Sequence, residues 1–353
     1  MKIVRYFVIG LIVICFTGCS GEGGNEPLLP PFGGVAEVPI AWGVDAKTTS
    51  NRALVTNENI NTAGNAFSVF GSYDIVSNFT NPYKVFDNRK VYHNGTDWTY
   101  QPMETWVEGT YYRFRGFYPY TDNTNASAYW VRNDFQENAD SCNLYLSVDD
   151  PAKQVDLMAS DVVRRGLINY KEETTLERVV LPFKHLLTNV HLKLKKHPND
   201  ALNTIEIQSV RLKGMHTRAL FAAAAEVENG EWTYATINEE GFNQSYSNAN
   251  PLILQTNETH VIWGEEGLLL IPQEVTNDVK LEIAMRVTKK MDDGTVVTSM
   301  ESNSISLPTT QTWSASTKMT YVATVGSDNS ITFAPPTVQP WVEEYIGGGV
   351  IIQ

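Results

Sequence analysis

Val279-Lys280-Leu281-Glu282-Ile283-Ala284-Met285-Arg286-Val287 alternates apolar with polar or small residues, and Asp292-Asp293-Gly294 follows a few positions on. Period-two alternation buries one face of a strand, and an Asp-Gly pair is hairpin turn chemistry. The same grammar recurs on both sides. Val190, Leu192 and Leu194 alternate with His191, Lys193 and Lys195, and Met319, Tyr321, Ala323 and Val325 share one face of 313–325. Leu181, Phe183 and Leu187 sit on the opposite parity from Val190, which demands a bulge or turn near Lys184 to Leu187. Ile205 and Ile207 are out of phase with Val210 and Leu212, which demands another bulge. Helical periodicity is almost absent, so the expected class is all-β, built of Greek-key β-sandwiches without parallel βαβ units.

The first half reads the same way. Phe67 to Gly71 and Lys90 to His93 are early strands, and 110–120 (TYYRFRGFYPY) puts Tyr112, Phe114, Gly116 and Tyr118 on one face. Tyr111, Arg113, Arg115 and Phe117 take the other face. With Trp98 and Trp106 nearby this stripe is the aromatic centre of a first domain, core packing being a better reading than a sugar platform. The chain beyond Arg52 has 353 − 52 = 301 residues, more than one core usually serves. Two domains are expected, at 35–178 and 179–334.

Lys2 and Arg5 precede an apolar run from Tyr6 to Phe16, and Phe16-Thr17-Gly18-Cys19 reads as a lipobox. The expectation is a lipoprotein signal at 1–18, a diacylglycerol on Cys19 that inserts in outer-membrane lipid, and a Gly- and Pro-rich tether over 19–34. Cys15 leaves with the signal, so Cys142 stands alone in the folded part, a structural residue with no disulfide framework around it. The chain carries 27 basic and 40 acidic residues, net −13, which argues against nucleic acid as a partner.

Both ends of the mature chain carry strands with an unusual setting. Val38, Ile40, Trp42 and Val44 alternate with Pro39, Ala41 and Gly43, and a polar run leads to Arg52-Ala53. A protease cutting after Arg52 would remove a strand built into the fold and open an apolar groove. At the other end Val338, Trp341 and Val342 lead through Gly347-Gly348-Gly349 to Val350-Ile351-Ile352-Gln353. A triglycine hinge lets the apolar terminus swing, and some groove should receive it, either on a neighbour or on its own sheet.

Chemistry is sparse. His185, His191 and His197 are spaced so that neighbours on one strand would lie about 20 Å apart, too far for one metal. His185 is expected to be packed or hydrogen-bonded, and His191 and His197 to face solvent. Asp149-Asp150 and Asp292-Asp293 lack the ligand spacing of a calcium loop and read as turn residues. With no phosphate loop, dinucleotide fingerprint or serine elbow, neither an enzyme nor a cofactor is expected.

Taken in order, Cys19, Arg52-Ala53, Trp106 to Tyr120, Val155 to Ala159, Leu181 to Val190, Leu268 to Gln273 and Trp313 to Val325 resemble the fimbrillin family of Bacteroidetes, the subunits of type V pili and related surface lipoproteins. The resemblance implies two transthyretin-like sandwich domains and cleavage by an arginine-specific protease after Arg52. It also implies removal of the strand bearing Val38, Ile40, Trp42 and Val44, and strand exchange with other fimbrial subunits through a donor segment over 338–353. The family also contains anchor and tip members. A non-polymerising, glycan-binding surface lipoprotein that stacks sugars on Trp98, Trp106 or Trp232 is the competing expectation.

Overall fold

The Val279 alternation folds as read. Lys280–Lys290 pairs antiparallel with Val296–Ser306 in unbroken register, and the Met291 N–H donates to the Thr295 carbonyl across the turn (2.8 Å). Gly294 takes φ +84°, a left-handed value that suits glycine there. The computed structural model describes residues 38–46, 60–122, 129–132, 142–169, 176–235, 237–247 and 249–341. Among them the regular elements are β-strands and short 3-10 turns.

The C-terminal part is a sandwich of two sheets. In one, Thr188–Lys196 lies parallel to Thr317–Val325. In the other, Thr204–Lys213 pairs with Lys280–Lys290, and the register slips between Ile207 and Ser209. That slip is the expected bulge, and it turns Ile205, Ile207, Val210 and Leu212 into one core. Trp313 is fully buried there, its indole N–H donating to the Tyr321 hydroxyl (3.0 Å).

An eight-stranded sheet organises the N-terminal part. Its path runs Trp42–Ala46, Val179–His185, Met158–Ser160, Tyr111–Tyr118, Ala66–Asp74, Tyr83–His93 and Trp98–Thr99, with Val163–Arg165 also on Tyr111–Tyr118. Val179–His185, which the sequence reading put at the head of the second domain, is therefore a strand of this first sheet. The parity change that asks for a bulge or turn near Lys184 to Leu187 is satisfied by the buried step Leu186-Leu187, where the chain crosses to the next sheet.

A further sheet joins the halves: Cys142–Ser147 pairs with Arg218–Ala223, flanked by Tyr129–Arg132 and Glu231–Tyr234. It packs on the far side of Tyr111–Tyr118, which is why that strand is buried on both faces. Tyr112 and Phe114 enter one core, and Phe117 enters another with Phe70, Leu144 and Phe221. The arginines on that second face are buried too. Arg115 donates to the carbonyls of Ala223 (3.0 Å), Ala224 and Ala225 (3.0 Å), tying the two sheets together. Arg113 donates to the Ser72 hydroxyl (3.0 Å). Gly116 is required by packing, since a Cβ would sit 2.7 Å from the Phe183 ring.

Candidate functional site

The first strand is held along its whole length. Pro39 supplies no N–H, and on either side of it the Ile40 N–H donates to the Glu104 carbonyl (3.0 Å) while the Val38 carbonyl accepts from the Trp106 N–H (3.0 Å). The Tyr100 hydroxyl donates to the Ile40 carbonyl (3.0 Å). From Trp42 the chain becomes regular and runs parallel to the next strand, Trp42 opposite Val179 and Ala46 opposite Phe183. The strand read at 38–44 is thus an extended arm at 38–41 followed by a regular strand, Trp42–Ala46.

The alternation buries as read. Ile40 and Trp42 are buried, and Val38 and Val44 are partly buried against the same core. The Trp42 ring meets Phe86 and Phe114 edge-on at 5.3 and 5.2 Å, with Tyr100 at 6.4 Å. Yet its indole N–H has no hydrogen-bond partner among the described residues. Such a buried orphan donor costs about 1–3 kcal/mol. Among the described residues the strand lies at the outer edge of its sheet, so it completes a core with no further described strand outside it.

Trp98 and Trp106, weighed above as sugar platforms, are buried in this core, and Trp98 donates from its indole nitrogen to Asn61 (2.8 Å). Trp232 is partly buried against Phe221, 4.7 Å between ring centres. With Tyr234 it lines a cleft of about 550 Å³ that also takes in Lys184, Glu228 and Glu274.

At the other end of the described residues the chain takes the second of the two expected courses and lies on its own sheet. Val338, read as the start of a donor segment, belongs to Thr337–Pro340, which pairs antiparallel with Thr317–Thr320 of its own sheet. The strand is exposed throughout, Val338 by 43%. Trp341, also read as donor, is docked in its own fold. Its N–H donates to the Ser316 carbonyl (2.7 Å), and its ring stacks on His185 at 4.4 Å and 6°. His185 is buried, its Nδ1 2.7 Å from an Asp156 carboxylate oxygen. The physical reason is an open edge: Thr317–Val325 has Ile331–Phe333 on only part of that side, and the chain following it covers the rest. Val342, Val350, Ile351 and Ile352 lie outside the described residues, as do Cys19, Arg52 and Ala53.

His191 is buried, not solvent-facing as read, because its strand is covered on both faces. Burial, with Lys318 and Lys193 adding to it, pulls its imidazole down to about 4. The acidic turns behave as read: the Asp293 carboxylate accepts from the Thr295 N–H (2.8 Å), and Asp150 caps the turn at Ala152 (3.0 Å). Cys142 is buried in the core shared by the joining sheet.

The fimbrillin-like family profile matches residues 51–341. No curated protein matches the chain. Among solved structures, a fimbrial protein from Bacteroides vulgatus is 18% identical and superposes with a TM-score of 0.60, over 86% of this chain and 99% of its own. A candidate cell adhesion protein from Parabacteroides distasonis is 11% identical, with a TM-score of 0.49 over 90% of this chain and 98% of its own. One from Bacteroides uniformis is 16% identical, with a TM-score of 0.43 over 86% and 99%. At 18% identity the Bacteroides vulgatus structure shows a shared fold alone. The profile, spanning most of the sequence and reaching from just before Arg52 to Trp341, decides the matter: this chain belongs to the fimbrillin-like family.

Proposed function

We propose that the chain is a structural subunit of a cell-surface fimbria, exported as a lipoprotein held through Cys19. It joins its neighbours by strand exchange after an arginine-specific protease cuts between Arg52 and Ala53. The observation that carries this reading is the first strand, an edge strand whose Ile40 and Trp42 side chains fill a core. Its loss would leave an apolar slot beside the free edge of Val179–His185.

Burying each such side chain contributes about 2 kcal/mol, so a cut alone would not expel the strand. Cleavage would instead make it replaceable. The segment after Trp341 has 353 − 341 = 12 residues. Extended, it spans roughly 40 Å, against about 30 Å for the arm and strand over 38–46. Val342, Val350, Ile351 and Ile352 would be its apolar anchors, with Val338 and Trp341 as its base.

Brief trypsin treatment of the precursor tests this. The expected result is a new N-terminus at Ala53, retention of the severed peptide until subunits meet, and then a ladder of polymers. A cleaved chain that stays monomeric at high concentration would overturn the reading.

A second reading, an adhesive subunit that binds glycans without polymerising, keeps one supporting observation. Trp232 and the exposed Tyr234 line the 550 Å³ cleft beside carboxylates. It predicts that Trp232→Ala abolishes glycan-array binding while residues 20 to 52 stay attached in cells.

A further inference from the structure

Among the described residues Val296–Ser306, with 11 residues, is the outermost strand of its sheet along its whole length; Tyr83–His93 is as long but carries Trp98–Thr99 outside its last two residues. The strands at the other sheet edges have 5 or fewer. Edge strands are templates for pairing with another chain, and proteins blunt them with charge, proline or shortness. The last strand follows that practice, being short and ending in Pro340. Val296-Val297-Thr298-Ser299-Met300 carries neither charge nor proline.

The hydrogen-bond parity of this edge is fixed. Thr295 accepts from Met291 and Leu307 donates to Val279, so the odd-numbered residues bond inward to Lys280–Lys290. The even-numbered ones therefore turn their N–H and C=O groups outward. At Ser302 the outward carbonyl is taken by the Asn329 side chain (3.2 Å), which closes that end of the edge. The other end closes at the turn of Gly294. Between them Val296, Thr298 and Met300 present backbone groups without a partner among the described residues, and Val296 and Met300 are exposed by 61% and 63%.

From this we infer that Val296–Met300 is a self-complementary contact, pairing antiparallel with the same strand of a second copy about a two-fold axis at Thr298. In that register Thr298 exchanges both backbone hydrogen bonds with its counterpart, and Val296 lies opposite the second copy's Met300. Both ends stop where Gly294 meets the capped Ser302, so the open stretch is used in full. Lys290, beside Val296, and the second copy's Arg286, beside its Met300, lie three strand spacings apart. That is about 14 Å, beyond the roughly 8 Å over which exposed charges act at physiological salt. On the opposite face Glu301 points toward the second copy's Lys289, with about 12 Å between backbones, a span that the two long side chains close.

The contact is small. Five residues of edge, about 17 Å long and 10 Å thick, bury on the order of 340 Å² in total, far less than the roughly 1,600 Å² of a stable complex. It is therefore weak between single copies and gains strength only where copies are held close together.

The test uses the full chain carrying Thr298→Cys. Only a residue at the axis places two copies of itself about 5.5 Å apart between Cα atoms, inside the range a disulfide spans. Under mild oxidation at high protein concentration, Thr298→Cys should form a disulfide dimer about tenfold faster than Thr295→Cys, which is also exposed but whose copies lie apart in this register. Adding Met300→Lys to Thr298→Cys should bring the rate down to the control. Equal rates for the two cysteine positions, a monomeric Thr298→Cys chain, or insensitivity to Met300→Lys each overturns the proposal. So does loss of the dimer on deleting 342–353, which would make the tail the partner.

Discussion

The first and last described strands both lie at sheet edges, yet they are built on opposite principles. Trp42–Ala46 projects into a core, with Trp42 only 1% exposed and met by Phe86, Tyr100 and Phe114. Thr337–Pro340 lies on the surface with every residue exposed, and only Trp341 after it is seated, against His185. A strand whose side chains fill a core leaves a hole when it goes, whereas a surface strand leaves little more than unpaired backbone. The first described strand is thus a piece that would leave a slot to refill, and the last is one that costs little to lift away.

The largest test of that contrast is Trp42→Ala. Truncating a buried tryptophan costs about 3–5 kcal/mol, moderated here by release of the orphaned indole, and the loss is read from a shift in the denaturant midpoint at constant m-value. A loss below about 1 kcal/mol would mean that the first strand is a surface piece after all.

Acid should act on the sheet that carries the last strand. His191 lies in Thr188–Lys196, which pairs with Thr317–Val325, and burial holds its imidazole at about 4 against an ordinary 6.5. The folded chain therefore binds fewer protons than the unfolded chain between those values, so stability falls as pH drops from about 6.5 toward 4. Replacing His191 with Asn should flatten unfolding curves across that window, and an unchanged slope would assign the loss to other groups.

The smallest effects should come at the end of the chain. Trp341→Ala should cost about 2 kcal/mol, since it removes one stacked ring, and Val338→Ala should stay within about 0.5 kcal/mol because the side chain is half in water. Hydrogen exchange should show the amides paired between Thr317–Thr320 and the last strand opening faster in Trp341→Ala than in Val338→Ala. The reverse order would mean that Trp341 is not what fastens the terminus.

Much of this was legible in the sequence. Alternation placed Ile40 and Trp42 on the buried face, assigned Leu281 to Val287 to a hairpin, and exposed the slip between Ile207 and Ser209. What it could not say was where a second layer would cover the other face. Arg113 and Arg115 alternate with aromatics as if they faced water, and His191 alternates with leucine neighbours in the same way. All three are buried: Arg115 because the joining sheet packs behind Tyr111–Tyr118, Arg113 because Ser72 and the Phe79 ring cover its guanidinium, and His191 because Thr188–Lys196 is covered on both faces. The parity break near Leu187 was visible, but a bulge within one strand and a step between two sheets write the same pattern.

The sequence by itself determined the strands, their apolar faces and their turns, since these follow from side-chain period and turn chemistry within a few residues. Only the tertiary structure decided which strands lie side by side, that Val179–His185 belongs to the first sheet, that Trp341 docks on His185, and that the first strand is an edge piece of a core. Those choices depend on contacts between residues far apart in the chain, and local periodicity holds no record of them.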